Sequence, residues 1–439
     1  MKFKRPDLKL LVLCIAFLIF LTLGGRKVLH DSRDFIPVYT GARCLLHGCN
    51  PYVPSQLEQQ FLQAGGRTNE VPDWKACVPV YPPSAFLVLS PLALLPYPLV
   101  CPLWFLLNGC LFIASAGLVL FMSPRSHRWL ATILVSLIVV KSGEMLQIGQ
   151  PTVFATSLLV MGCYCFLRQR CLSLGVVLLM LSLAVKPQMG GLIVLYLVVR
   201  RIHWRYAVLA MAGACALLLA GGLILTMRPS SADWTSVLHA NLSATEEPGG
   251  VNDPRPNHKP SLDLANLQVV TSAFSTNARE FNAGAYAVCL VFLAALVTAV
   301  LRTKTSPDVH LLSIGALAVL TLMPVYHRFY DARILLITVP AVVIVYRQRR
   351  LLGALMGALT VLIVNFLSVQ SRTYAFLSHH AIGQFILQSK FLSILFLQQQ
   401  NLELPVLFCL YIVAILLYSH SHRSGDGSGI FEGAALGVN

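Results

Sequence analysis

Acidic side chains are scarce: 439 residues include 18 Asp and Glu against 33 Lys and Arg, and all four types together make up 12% of the chain. That is about half the charged share of an average soluble domain. A water-facing surface needs roughly a quarter of its positions charged. With 56% hydrophobic residues and a mean hydropathy of +0.71, a soluble fold is excluded and most of the exterior must meet lipid. Chemistry-bearing signatures are missing too. The chain has no P-loop, G-x-G-x-x-G, H-E-x-x-H or G-x-S-x-G pattern, which removes the commonest nucleotide-driven, metalloprotease and serine-hydrolase readings. Among 12 Cys there is no C-x-x-C, so zinc and redox readings have no support. No repeat of 20 to 50 residues and no inverted pair of broken spans of the transporter kind occurs.

What is present is a series of apolar runs bounded by charges. They predict an all-α polytopic membrane protein of about 12 transmembrane helices, at Leu8–Gly25, Leu99–Met122, Trp129–Val140, Pro151–Leu167, Leu172–Val185, Pro187–Val199, Tyr206–Met227, Ala283–Leu301, Leu311–Val325, Ile334–Tyr346, Leu351–Ser368 and Leu404–Ser419. Those at Trp129, Leu172 and Pro187 are nearer 13 residues than the ~20 that a crossing needs, which also suits re-entrant or core segments. The first run lacks an A-x-A-like cleavage site and reads as a retained helix. Pro82–Pro98, apolar but broken by Pro91 and Pro96, reads as an interfacial helix in the first outer loop. One polytopic unit covers residues 1–420, with outer loops at 26–98, 228–282 and 369–403, and the Gly-rich 421–439 reads as a disordered cytoplasmic tail.

Charge placement tests this threading independently. With both termini in the cytoplasm, the short cytoplasmic connections hold 17 Lys and Arg and 4 Asp and Glu, whereas the much longer outer segments hold 16 and 14. The net charge of +15 and the pI near 9.4 therefore express the positive-inside rule in a multi-pass plasma-membrane protein, not a nucleic-acid surface. Cys44, Cys49 and Cys77 share the first outer loop, where one disulfide and one leftover thiol are compatible with the spacing. Asn241-Leu-Ser is an outer glycosylation sequon of low specificity.

Charged groups at membrane depth are costly and so are functional candidates. They gather on one outer rim: Asp31 and Asp34, Tyr81, then Lys141, Glu144, Gln147 and Gln150, then Lys186 in the turn Lys-Pro-Gln, and His327, Arg328, Asp331 and Arg333 in "YHRFYDAR". A carboxylate near an imidazole can serve as general base, and Lys and Arg can hold a phosphate by charge-assisted hydrogen bonds. That combination suits transfer from a phosphate-activated lipid. Arg26 and Lys27 read as snorkelling anchors, and His379-His380 as an interfacial surface feature.

The segments "DFIPVYTGARCLLHGCNPYVP" from Asp34, "VYPPSAFLVLSPLALLP" from Val80, "IGQPTVF" from Ile148, "LAVKPQMGGLIVLYLVVRR" from Leu183 and "YHRFYDARILL" from Tyr326 resemble, in order and spacing, the glycosyltransferase family 87 polyprenol-phosphate-mannose-dependent mannosyltransferases. The resemblance implies a type C glycosyltransferase fold with its active site facing away from the cytoplasm. It implies Asp34 as general base of an inverting transfer and His327 as the active-site histidine. Lys186, Arg328 and Arg333 are then candidates for the donor phosphate, and Tyr39, Tyr81, Gln150 and Asp331 for the substrate site. No cofactor is implied beyond the lipid-linked sugar, a polyprenyl-phosphate donor whose hexosyl group passes to a lipid or glycan acceptor. Asp31 and Asp34 form D-x-x-D and not the D-x-E of some relatives of the fold, so no metal is implied. Transfer of another sugar, such as arabinose, is the nearest alternative. From other classes come a lipid or solute transporter, which would carry charges near mid-membrane, and a structural membrane component, which would not need Asp34 or His327.

Overall fold

A computed structural model describes residues 8–26, 32–71, 73–74, 79–255 and 259–423. Helices α1 (Leu8–Gly25), α2 (Ile36–His47), α3 (Pro54–Gln63) and α4 (Pro83–Ala93) come first, followed by α5 (Tyr97–Met122), α6 (Arg128–Gln147), α7 (Pro151–Leu167), α8 (Leu172–Val185), α9 (Pro187–Val199) and α10 (Trp204–Thr226). The second half contains α11 (Trp234–Glu246), α12 (Leu267–Thr271), α13 (Ala278–Arg302), α14 (Pro307–Thr321), a 3-10 stretch at Asp331–Thr338, α15 (Val339–Gln348) and α16 (Arg350–Asn365). It closes with three short helices, α17 (Leu367–Ser378), α18 (Ala381–Gln388) and α19 (Lys390–Leu397), and with α20 (Gln400–Arg423). Among the described residues there is no strand.

Six helical segments are long and apolar enough to cross a bilayer: Leu8–Gly25, Tyr97–Met122, Arg125–Gln147, Trp204–Thr226, Ala278–Arg302 and Gln400–Ser419. They carry the lipid-facing exterior, with Leu18, Leu106, Leu219, Leu223, Leu290 and Val291 all exposed. Six further apolar helices, α4, α7, α8, α9, α14 and α16, are shorter, at 10–17 residues.

The most enclosed of these is α7. Val153, Leu159, Val160 and Phe166 join one apolar core with α6, α14 and α15, whereas Phe154, Ala155 and Leu158 join a second core around Phe35, Tyr39, Tyr52, Phe86 and Trp104. A helix apolar on every side is stable only when buried, and α7 lies between the two cores with its N-terminus at their junction.

Several boundaries differ from the sequence expectation. The run expected at Trp129–Val140 continues as helix to Gln147, because Lys141 and Glu144 neutralise each other at 2.7 Å, one turn apart, and need no loop. Ile334–Tyr346 begins as 3-10 and becomes α-helical only at Val339. Segment 369–403, expected as a loop, is largely helical, in α17 to α19. Within Pro82–Pro98, α4 does not lie on the surface: it packs against α2, α8 and α10 with Phe86 fully buried, and Ser84 donates to the Ala184 carbonyl at 2.6 Å. Helix α20 runs through Arg423 into the expected tail, and residues 424–439, with Asp31, Lys27 and Cys77, lie outside the described residues. The segment between α1 and α5 contains the disulfide Cys44–Cys49, closed across the left-handed Gly48 (φ 83°) that ends α2.

Candidate active site

The site is assembled around the turn from α6 into α7. Gly149 takes φ +69°, and a side chain there would collide with Phe35. The turn is held from both sides: Trp104 Nε1 donates to the Gly149 carbonyl (2.8 Å), and the Asp34 backbone N–H donates to the Ile148 carbonyl (3.0 Å). These bonds bring the segment between α1 and α5 against α7. Gln150 then caps the helix, its Oε1 accepting from the Thr152 N–H (3.3 Å), with Pro151 at the first helical position. The same oxygen accepts the Tyr81 hydroxyl (3.0 Å), and the amide Nε2 donates to Asp34 Oδ2 (2.7 Å).

A second carboxylate lies on the other side of Gln150. Asp331 Oδ1 accepts from Thr152 Oγ1 (2.7 Å) and is ion-paired with Lys186, whose Nζ also donates to Thr152 Oγ1 (2.6 Å). Asp331 Oδ2 accepts from His327 Nδ1 (3.0 Å) and the Arg328 N–H (3.3 Å). Local chain geometry dictates both partners. Lys186 precedes Pro187, leaves helical geometry (φ −145°, ψ 78°) between α8 and α9, and stacks its ammonium 4.8 Å from the Tyr330 ring. His327 sits on a segment fastened by backbone bonds from Ala265 to His327 (2.9 Å) and from Phe329 to Asp263 (2.8 Å).

The two carboxylates are therefore in opposite environments. Asp331 is 1% exposed and accepts four hydrogen bonds; burial opposes its charge, but Lys186 and His327 hold it below the usual carboxylate range. Asp34 is only part-buried and accepts one hydrogen bond among the described residues. Desolvation by its surroundings raises it to about 6, against the opposing pull of Arg328, Arg33, Gln150 and Lys186. Because Asp331 only accepts, His327 must place its proton on Nδ1. Its Nε2, fully buried, has no hydrogen-bond partner among the described residues.

Residues 80–325, more than half of the chain, match the model of glycosyltransferase family 87. The chain belongs to glycosyltransferase family 87. No curated protein and no solved structure matches it. This family 87 protein is a membrane glycosyltransferase, and the matched stretch contains Tyr81, Gln150, Thr152 and Lys186 but stops short of His327 and Asp331 and begins after Asp34.

Of the residues singled out in its sequence, the glycosyltransferase brings Asp34, Tyr81, Gln150, Lys186, His327 and Asp331 into one hydrogen-bonded chain. Arg328 adjoins it: its guanidinium donates to the Val251 carbonyl (2.7 Å), and its charge is the strongest of those favouring ionised Asp34. Tyr39 stands apart, its hydroxyl donating to the Leu95 carbonyl (2.6 Å) and its ring packed on Phe35 and Tyr97. Arg333 also stands apart. Fully buried, it donates to the carbonyls of Val364 (2.8 Å) and Lys141 (3.4 Å) and so fastens α16 to α6. Thr152, central to the chain, was not singled out: a hydroxyl two residues beyond a capping Gln has no signal in an apolar run. Among the described residues, no group of three His, Cys, Asp or Glu is placed to hold a metal ion.

Proposed function

We propose that this glycosyltransferase moves a mannosyl group, or a related hexosyl group, from a polyprenyl-phosphate-linked sugar to a lipid or glycan acceptor, with inversion, on the outer face of the plasma membrane. The observation that carries the reading is the contrast between the carboxylates. When one carboxylate is opened and raised while its neighbour is sealed and lowered, their roles separate. Asp34 is the general base: it takes the acceptor hydroxyl proton as that oxygen bonds to the anomeric carbon, while the bond from carbon to the phosphate oxygen breaks and its electron pair leaves with the phosphate. That leaving group is already an anion and needs charge stabilisation more than a proton. Lys186 and Arg328 supply the charge, and Asp331 fixes Lys186 and the active-site His327 from behind. We assign Arg333 to holding helices together.

The test is transfer by the wild-type protein in liposomes from polyprenyl-phosphate-mannose, followed across pH. A base near 6 acts when ionised, so kcat/KM should rise tenfold per pH unit up to about 6 and level off above it. A flat profile through that range removes Asp34 as the base, and translocation of the donor without glycoside formation overturns the enzymatic reading.

The type C arrangement with twelve crossings and both termini cytoplasmic belongs to the same proposal. Thr305 and Arg349 are exposed on connections assigned to the cytoplasm. In a Cys77→Ser/Cys171→Ser background, Thr305→Cys and Arg349→Cys should react with an impermeant maleimide only in inverted vesicles; labelling of intact cells would reverse the topology.

A further inference from the structure

Gln150 joins the two ends of the site, yet its side chain is 2% exposed and accounted for by protein partners. A carboxamide has two unlike ends, one accepting and one donating. Here the accepting end is fixed twice, by the Tyr81 hydroxyl at 3.0 Å and by the Thr152 N–H at 3.3 Å, the second being the cap of α7. With Oε1 held, Nε2 faces Asp34 Oδ2 at 2.7 Å. A flipped amide would set oxygen against carboxylate oxygen and lose the cap as well. Asp34 Oδ1 accepts no hydrogen bond from a described residue.

We propose that Gln150 is a positioning residue of the transfer reaction: anchored as the N-cap of α7, it grips Asp34 through Oδ2 and leaves Oδ1 as the oxygen that receives the acceptor's proton. This rests on the reading of Asp34 as base and adds to it which oxygen acts and what aims it. The anchor is the buried N-terminus of α7, fastened through the Gly149 carbonyl to Trp104 Nε1, so the aim does not depend on the substrate. Other groups act on the charge of Asp34 without fixing its direction: Arg33 beside it, Arg328 from the turn before the 3-10 stretch, Lys186 from the junction of α8 and α9, and the phenol of Tyr81 before α4. Of these, Gln150 alone both binds the carboxylate and is itself held.

Gln150→Ser separates capping from aiming, because Ser is a strong N-cap but is too short to reach Asp34. The variant should stay folded, losing the Tyr81 and Asp34 bonds but not the cap, and lose kcat by roughly 10- to 100-fold, since misplacement of a reacting group by about an ångström costs that order. Its acidic limb should move upward, because a hydrogen bond to the ionised carboxylate has been removed. Gln150→Glu keeps an accepting oxygen for the cap and sets a second carboxylate against Asp34, so its limb should move up further, by about one pH unit or more. Both should bind the lipid-linked donor with KM within about threefold of wild type, as expected when only a transition-state interaction is lost. A limb that stays at the wild-type pH in both variants, whatever the rate, overturns the inference; so does a Ser variant with the wild-type rate, which would make Gln150 a cap and nothing more. A wild-type protein that transfers no sugar would overturn the functional reading together with this one, whereas an active wild type with unshifted variants overturns this one alone.

Discussion

Asp34→Asn should abolish measurable sugar transfer while leaving the protein folded. General-base catalysis is worth about 10²- to 10⁴-fold, so kcat should fall by roughly 10³-fold while KM for the donor stays near wild type. Asn has nearly the shape of Asp, and its carbonyl oxygen still accepts the Gln150 amide, so the turn at Gly149 and the bond from Asp34 N–H to Ile148 are untouched. The thermal midpoint in detergent should therefore match wild type within a degree or two. Asp34→Ala should lose transfer equally. Activity within threefold of wild type in either variant would mean that the proton goes elsewhere.

The second large effect is in stability. Lys186→Met leaves Asp331 buried with hydrogen bonds from Thr152, His327 and the Arg328 N–H but without its ammonium partner, and Asp331→Asn leaves a buried ammonium without its carboxylate. Breaking a buried pair by removing one partner costs about 3–5 kcal/mol, whereas replacing both with neutral groups of similar volume is often close to neutral. Each single variant should lower the midpoint of thermal unfolding markedly, and the double variant Lys186→Met/Asp331→Asn should recover most of it without recovering transfer. The double-mutant cycle isolates the coupling. If the singles melt at the wild-type temperature, the buried pair does not contribute as the distances imply.

How much of this was legible in the sequence depends on the physics involved. The scarcity of charge made Asp34, Lys186, His327 and Asp331 conspicuous, because a charge in an apolar run needs a reason. The helix centres followed from hydropathy, but the ends did not: an ion pair such as Lys141 with Glu144 lets a helix continue past its apolar stretch. Direction was the harder quantity. Asp331 and Arg333 are two residues apart on a 3-10 helix, about 240° around its axis, so membership of one turn places them on different faces. Tyr39 illustrates the same point on α2, where it belongs to the aromatic packing around Tyr97. Thr152 was invisible because its importance comes entirely from its partners, Gln150 before it and Asp331 from 179 positions away.

The short helices α8 and α9, of 14 and 13 residues, carry a consequence for chemical economy. At 1.5 Å per residue each is about 20 Å long, some 10 Å less than the hydrocarbon thickness. Lys186, at their junction, therefore lies beneath the level of the lipid headgroups in the proposed orientation, and the floor of the site lies with it. An activated sugar held at that depth meets its acceptor in a place where water is dilute. In the proposed reaction, short helices would thus protect the donor from being spent on hydrolysis, and the ratio of glycoside formed to free sugar released is the quantity that tests it.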